Sequence, residues 1–425
     1  MKRKRITSSL QSSSQQIILY LPDDCWESIF KFIINNNDEN SLKCLSLVSK
    51  QFLSITNRLR FSLNIKEATR PFLFSLFKRF TNLTSLDFSY CHYSIGILLR
   101  QISIFFPLKL TSLKLPMLCT FPANGLRTFS RNVTTLTSLT CSGIYFDIDD
   151  LLPIVDCFPL LKELNICRPK VPKNNETNFV STIQRLLSKS PCIQHLELQS
   201  TYFLNNQHVV DFCLCLGNLV SINLNFCHHL TETTLFSLVR NCYSLIEVKM
   251  ECTAIGKENV GNSDSLVEYG VYPQLKSLYL GHNSWLNDEI IILYASIFPN
   301  LKLLDLQDSP ISEGICQGLR KCCKLKHLNL EFCSGVKLHG INFAVPKLEV
   351  LNLSNTKVDN ETLYMISKNC CGLLRLLLEK CNDVTEKGVK HVVKNCTQLR
   401  EINLAGFHLS LKIRKLISRR GCHLC

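Results

Sequence analysis

The sequence predicts an α/β chain in which a short all-helical segment precedes a right-handed solenoid of strand-and-helix units, with a parallel inner sheet and outer helices. Three observations predict it. An apolar six-residue pattern recurs thirteen times from Leu83 onward, at a mean spacing of about 26 residues. Behind each alternating, strand-like stretch the apolar spacing changes to that of a helix. Residues 21 to 53 carry helical apolar stripes of their own and do not share the period.

The repeated element reads Leu-x-x-Leu-x-Leu, with other apolar residues allowed at its fixed positions. It starts at Leu83, Leu110, Leu136, Leu161, Ile193, Leu219, Leu245, Leu275, Leu301, Leu325, Leu348, Leu373 and Leu399. Two units show the helical half with identical offsets. After Cys227 come Thr231, Glu232, Leu235, Val239 and Cys242; after Cys381 come Thr385, Glu386, Val389, Val393 and Cys396. The threonine suits a helix N-cap, the glutamate the first turn, and the apolar residues one buried face. One unit cannot bury its own apolar side, but stacked copies cover each other. Thirteen strands about 4.8 Å apart make an inner surface on the order of 60 Å long, enough for a protein client. Runs such as LVSINLNFCHHLTETTL and LLRLLLEKCNDVTEKGV resemble the cysteine-containing class of leucine-rich repeats, over roughly residues 83 to 410. The units starting at Leu110, Leu136 and Leu161 lack most of the helical half, which leaves the register between 100 and 190 open.

Composition narrows the class. With 425 residues and 46 % hydrophobic content, the chain has ample apolar surface for a continuous core. Its 23 cysteines are scattered through apolar periodic segments, so they read as reduced core residues. No stretch approaches 18 uncharged apolar residues and no signal-peptide core is present, so no transmembrane segment is expected and the cytoplasm or nucleus is the expected compartment. The net charge of +14 is concentrated at Lys2 to Arg5 and at Lys412, Arg414, Lys415, Arg419 and Arg420. Residues 1–20 read as a disordered basic and Ser/Gln-rich tail, and 411–425 as a basic carboxyl-terminal tail.

Residues 21 to 53, LPDDCWESIFKFIINNNDENSLKCLSLVSKQFL, predict a first helix from about Pro22 to Ile34 and a second helical pattern of Leu42, Leu45, Val48 and Phe52. The first helix has two adjacent apolar stripes: Cys25, Ile29 and Ile33 on one, Trp26, Phe30 and Ile34 on the other. A unit this small buries only one of them, and the surplus argues for a partner. That all these side chains form a private three-helix core is the alternative. The segment resembles the F-box. Leu21-Pro22-Asp23-Asp24 matches its opening, Ile29-Phe30 its central apolar pair, and Leu45 to Phe52 its closing helix, with Phe52 where many members have tryptophan. The resemblance implies an F-box over 21–60, a connector or degenerate first repeat over 61–82, and docking of Leu21, Pro22, Ile29, Phe30, Leu45, Val48 and Phe52 onto a Skp-family adaptor. Through that adaptor it implies cullin and RING subunits. An F-box followed by leucine-rich repeats is similar to plant F-box/LRR proteins, substrate receptors of ubiquitin ligases.

On the inner sheet face the side chains between and flanking the last two apolar positions point away from the helices. There the acids Asp87, Glu163, Glu197, Glu247, Glu251, Asp305, Glu331, Glu379 and Glu401 outnumber the bases Lys114, Lys249 and Arg375. The expected client is therefore a protein with a basic or mixed-polarity segment, with Tyr279, Leu303, Leu377, His195 and His327 as anchors. The alternative is that the acids only keep the face soluble. Two long units carry polar inserts, CRPKVPKNNETN and TAIGKENVGNSDS, which read as rim loops. In hormone-sensing relatives such inserts help build a small-molecule pocket, but here they are short.

Other motifs carry less. Lys2 to Arg5 fits a nuclear-localisation patch or a solvated tail. Cys422-His423-Leu424-Cys425 has the layout of a prenylation site, but lacks its usual aliphatic and terminal residues, and it lacks a fourth zinc ligand; a frayed carboxyl-terminal cap is the better reading. No phosphate loop, His-Glu-x-x-His or Gly-x-Ser-x-Gly occurs, so neither metal, cofactor nor catalytic residue is expected. The expected function is a non-catalytic adaptor in ubiquitin-dependent protein breakdown. A scaffold that no longer engages the ligase is the first alternative. Nucleic-acid binding is not expected, since the basic residues are confined to the termini.

Overall fold

The structure, a computed structural model, describes residues 21–34, 39–91, 95–106, 109–118, 120–146, 151–258, 270–339 and 345–425. The basic run at residues 2–5 and the second half of the TAIGKENVGNSDS insert lie outside the described residues. The chain divides into two compact units. One comprises the described residues up to Leu63 together with Pro71–Thr84, the other Asn64–Arg70 and Ser85–Cys425.

The first unit holds four helices among the described residues: α1 (Asp23–Ile34), α2 (Glu39–Ser46), α3 (Lys50–Arg58) and a further one at Leu73–Arg79. The run Leu42 to Phe52, expected as one helical face, is broken at Ser49. That residue is extended (φ −158°, ψ 165°) and its hydroxyl accepts the Phe52 N–H at 3.1 Å, so it caps α3 rather than continuing α2.

The second unit is built on a fifteen-stranded sheet whose strands follow chain order from Ser62–Lys66 to His423–Leu424. From Ser85–Tyr90 onward every strand pairs in parallel with its sequence neighbours, in register, so that Glu247 stands beside Ser277 and Ser277 beside Leu303. Most strands have three residues, with the middle one buried among the helices and the outer two on the opposite face. The parallel sheet with helices returning between strands is the architecture the repeat predicts. Two strands extend it: Ser62–Lys66 in the connector, and His423–Leu424 at the carboxyl end. The stretch 411–425 is thus a helix, Leu411–Arg419, and the last strand, which pairs Glu401 with His423 and Ile402 with Leu424. Cys-His-Leu-Cys is sheet rather than a frayed end.

The doubtful units between 100 and 190 do have helices, at Ala123–Asn132, Leu152–Cys157 and Glu176–Lys189. The first packs so closely on helix Ile95–Phe105 that a Cβ on Gly125 would stand 2.5 Å from the Gly96 Cα. The apolar marker is present at Leu126, and Gly125 precedes it as Gly388 precedes Val389. The insert CRPKVPKNNETN is likewise partly ordered, as a 3₁₀ turn over Lys173–Asn175 leading into the helix at Glu176.

Two devices tie successive repeats together. Three residues beyond the strands, Ser200, Phe226, Cys252, His282, Asp308, Phe332, Asn355 and Lys380 adopt left-handed backbone with φ between 49° and 61°. This turns the chain sharply, and the following residue aims a buried donor at a backbone carbonyl. Cys227 Sγ reaches Leu198 O at 3.5 Å, Cys333 Sγ reaches Leu306 O at 3.1 Å and Cys381 Sγ reaches Leu353 O at 3.0 Å. At Asn283 the amide does more, donating to Met250 O and Leu280 O at 2.8 Å each while accepting the Thr253 N–H at 2.8 Å. The second device is at the helix starts. A first-turn side chain accepts an N–H at or just before the start of the next helix: Asn206 from Thr231 (3.0 Å), Asp288 from Ser312 (2.7 Å), Asn360 from Thr385 (3.0 Å), and likewise Glu386 from Ser410, while Glu232 makes the same bond to the turn residue Gly256.

The cysteines are free thiols throughout the described residues. Burial pushes Cys227 up to about 12 and Cys333 up to about 11, which suppresses the thiolate that reacts. Native alkylation with iodoacetamide, read by mass spectrometry, is therefore expected to modify Cys25, Cys44, Cys192, Cys323, Cys371 and Cys425 and to spare Cys141, Cys227, Cys333 and Cys381 until the chain is unfolded.

Candidate functional site

In the first unit the core is Phe30, Ile55 and Leu59, with Trp26, Ile33, Ile34, Leu45 and Phe52 packed around it. Phe30 meets Phe52 edge-on at 5.0 Å and 84°, and Trp26 lies 4.7 Å from Phe52. Arg58 clasps α3 to α1 through Asp23 (2.9 Å) and Glu27 (2.8 Å). Hydrogen bonds from Gln51 and Arg58 hold the Asp23 carboxyl below its ordinary range.

This arrangement redistributes the expected adaptor-facing residues. Phe30, 1 % exposed, is the centre of the core and offers nothing to a partner, because its ring is enclosed by Trp26 and Phe52. Leu21, Leu45 and Phe52 are half-buried, and Pro22, Ile29 and Val48 are exposed. Of the two α1 stripes, the one through Phe30 is buried, joined by Ile33. The other leaves Cys25 and Ile29 outside, continued by Phe32 at 74 % exposure; Leu47 at 85 % and Val48 at 65 % stand uncovered between α2 and α3. Phe32 and Leu47 were not among the expected interface residues. The spacing Cys25, Ile29, Phe32 would have found the first, whereas Leu47 emerges only because Ser49 breaks the helix.

In the second unit the expected client residues share the open sheet face. Glu197, Glu247, Lys249, Tyr279 and Asp305 lie on aligned strands, half-exposed, with Glu251, Glu331 and Glu379 just beyond strand ends and Arg375 exposed. The bases are engaged by acids. Lys249 reaches Glu247 at 3.2 Å and lies 5.3 Å over the Tyr279 ring, Arg375 reaches Glu401 at 2.8 Å, and Lys114 reaches Asp87 at 3.5 Å. Four other acids are held by amides: Glu197 by Asn223 (2.6 Å), Glu251 by Asn225 (2.5 Å), Asp305 by Asn329 (3.0 Å) and Glu331 by Asn352 (3.0 Å). An amide orients a carboxylate without cancelling its charge. The face therefore keeps an uncompensated negative potential in fixed positions.

The same field acts on the ionisable groups of the face. Burial, followed by the neighbouring Asp305 charge, raises the Glu251 carboxyl, and burial and Glu247 raise the Tyr279 hydroxyl. A carboxyl raised in the folded state binds protons there before it does unfolded, so its cost is present at neutral pH and is relieved as pH falls through the raised value. Glu251→Gln is expected to raise the melting temperature at neutral pH and to abolish that acid-side gain, measured by thermal melts from neutral to mildly acidic pH. Along the rim stand exposed aromatics that charge counting missed: Phe226 (37 %), Phe332 (47 %) and Tyr202 (57 %), the last stacked on His228 at 5.7 Å. Among the described residues no group of three or more His, Cys, Asp or Glu side chains is gathered to hold a metal, and no helix is long and apolar enough to cross a membrane.

No family model matches the sequence. The DNA repair protein RAD7 of Saccharomyces cerevisiae is 28 % identical over 229 residues, covering 51 % of this chain and 39 % of RAD7, so the match spans about two-fifths of that relative's length. A chain in the crystal structure of the yeast Rad7 and Elc1 complex superposes with a TM-score of 0.53 at 16 % identity, over 96 % of this chain and 98 % of that one. An internalin of Listeria monocytogenes overlaps less closely, with a TM-score of 0.44 and 18 % identity over 71 % of this chain and 81 % of its own. The chain is a leucine-rich-repeat solenoid, similar in sequence to a yeast repair protein and in fold to a structure in which Rad7 is held with Elc1.

Proposed function

We propose that this chain is a substrate-recognition subunit of a Skp-cullin-F-box ubiquitin ligase, with residues 21–60 as its F-box and the sheet face as its client surface. One observation carries the reading: the cluster of α1 to α3, having closed its core, leaves Ile29, Phe32, Leu47 and Val48 exposed, a greasy surface that a partner protein would cover. The yeast comparison supports it, since Rad7 was crystallised in complex with Elc1. The chain supplies geometry and no chemistry; transfer of ubiquitin is promoted by holding the client near the charged enzyme. The compartment is nuclear or cytoplasmic.

The client is a protein with a basic, aromatic-tolerant segment. Cations on it meet Glu197, Glu251, Asp305 and Glu331, while apolar groups meet Tyr279 and the rim rings. Co-purification under proteasome inhibition, comparing the intact chain with one lacking residues 21–60, identifies proteins that accumulate only with the former. Charge reversal at Glu247, Glu251 and Glu331 is expected to weaken capture of such a client by about tenfold or more and to flatten its dependence on salt. Unchanged capture would remove the sheet face from the proposal.

A further inference from the structure

The last two helices of the solenoid, Glu386–Asn395 and Leu411–Arg419, enclose a groove of about 900 Å³. Six cations line it, Lys387, Lys390 and Lys394 from one helix and Lys412, Lys415 and Arg419 from the other, against one carboxylate, Glu386. That carboxylate is already committed to the Ser410 N–H and hydroxyl. Among the described residues none of the six cations is ion-paired. On each helix the cations are spaced by three and then four residues, so they form two rails about 10 Å long, one along each side. The floor between them is apolar: Leu411 is 75 % exposed and Leu416 half-buried above the buried Ile413.

We propose that this groove is a docking site for an acidic, leucine-bearing segment of a partner protein. Six like charges held together repel one another, and an anionic ligand relieves that repulsion. The exposed leucines select among anions. A nucleic-acid strand gains its affinity from phosphates and from bases stacked on aromatic rings, and no Phe, Tyr or Trp lines this groove. A peptide that alternates glutamate with leucine satisfies both rails and floor. The sheet face is acidic and this groove basic, so the two surfaces take partners of opposite charge, and the inference stands whether or not the ligase reading does.

The test is fluorescence polarisation on the full chain with a labelled glutamate- and leucine-rich peptide, the same peptide with alanine for leucine, a single-stranded oligonucleotide of matched charge, and phosphatidylserine vesicles by co-sedimentation. The leucine-bearing peptide is expected to bind most tightly and to weaken about tenfold or more on Lys390→Glu/Lys415→Glu. Leu411→Ser is expected to weaken that peptide alone and leave its alanine counterpart unchanged. Should the reversal variant fail to fold, Lys390→Gln/Lys415→Gln carries the same comparison. Binding insensitive to these substitutions, or tighter binding of the oligonucleotide or the vesicles, overturns the assignment.

Discussion

Replacing Leu47 and Val48 with aspartate is expected to leave the chain folded while its affinity for a Skp-family adaptor falls about a hundredfold or more. The two side chains are 85 % and 65 % exposed, so the carboxylates remain hydrated in the free chain and circular dichroism and melting temperature hold. At an apolar interface the same carboxylates are stripped of water without a partner, the penalty that makes central interface residues dominate affinity. Phe30→Ala reaches the same loss by another route. It empties the centre of the Phe30, Ile55 and Leu59 core at a cost of about 3–5 kcal/mol, so α1 to α3 become sensitive to protease. Titration calorimetry with purified adaptor, alongside limited proteolysis, separates the two. If the aspartate pair binds as the native chain does, the surface is not the adaptor site and the scaffold reading takes its place.

The second large effect is expected at Asn283. Its side chain is 0 % exposed and ties two repeats together by bonding Thr253, Met250 and Leu280. Leucine has the same branching, with bulkier methyl groups, and none of these bonds. Asn283→Leu strands a buried N–H and deprives two buried carbonyls of a donor, at about 1–3 kcal/mol each. A loss of about 3–5 kcal/mol is expected from denaturant melts. Exposed polar positions such as Ser284 are expected to change little. An Asn283→Leu chain as stable as the parent would mean that the amide is dispensable to the stacking.

The repeat was legible because period and alternation are properties of sequence, and the parallel, in-register sheet follows from stacking identical units. What escaped notice depended on contacts between units. The helix Ala123–Asn132 is hidden because its buried face carries only Leu126 and Phe129 as apolar markers, and the close backbone approach of Gly125 to Gly96 that seats it is a contact between units. The acids of the sheet face could be counted, but not the Asn223, Asn225, Asn329 and Asn352 amides that fix them, because those pairings join residues more than twenty positions apart. In the amino-terminal unit both apolar stripes of α1 were visible, while the choice between them was made by Phe52 and Trp26 in three dimensions. The strand His423–Leu424 is too short and too polar to announce itself.

The first-turn side-chain bonds from Asn206, Glu232, Asp288, Asn360 and Glu386 each span 24 or 25 residues and stop there. Cohesion handed only to the adjacent coil makes the molecule a zipper, so a steady pull on its carboxyl end would release turns singly, in a sawtooth of similar steps. The same bookkeeping governs splicing. Excising one full period brings matching teeth back together, whereas excising half a period leaves every later tooth facing a gap.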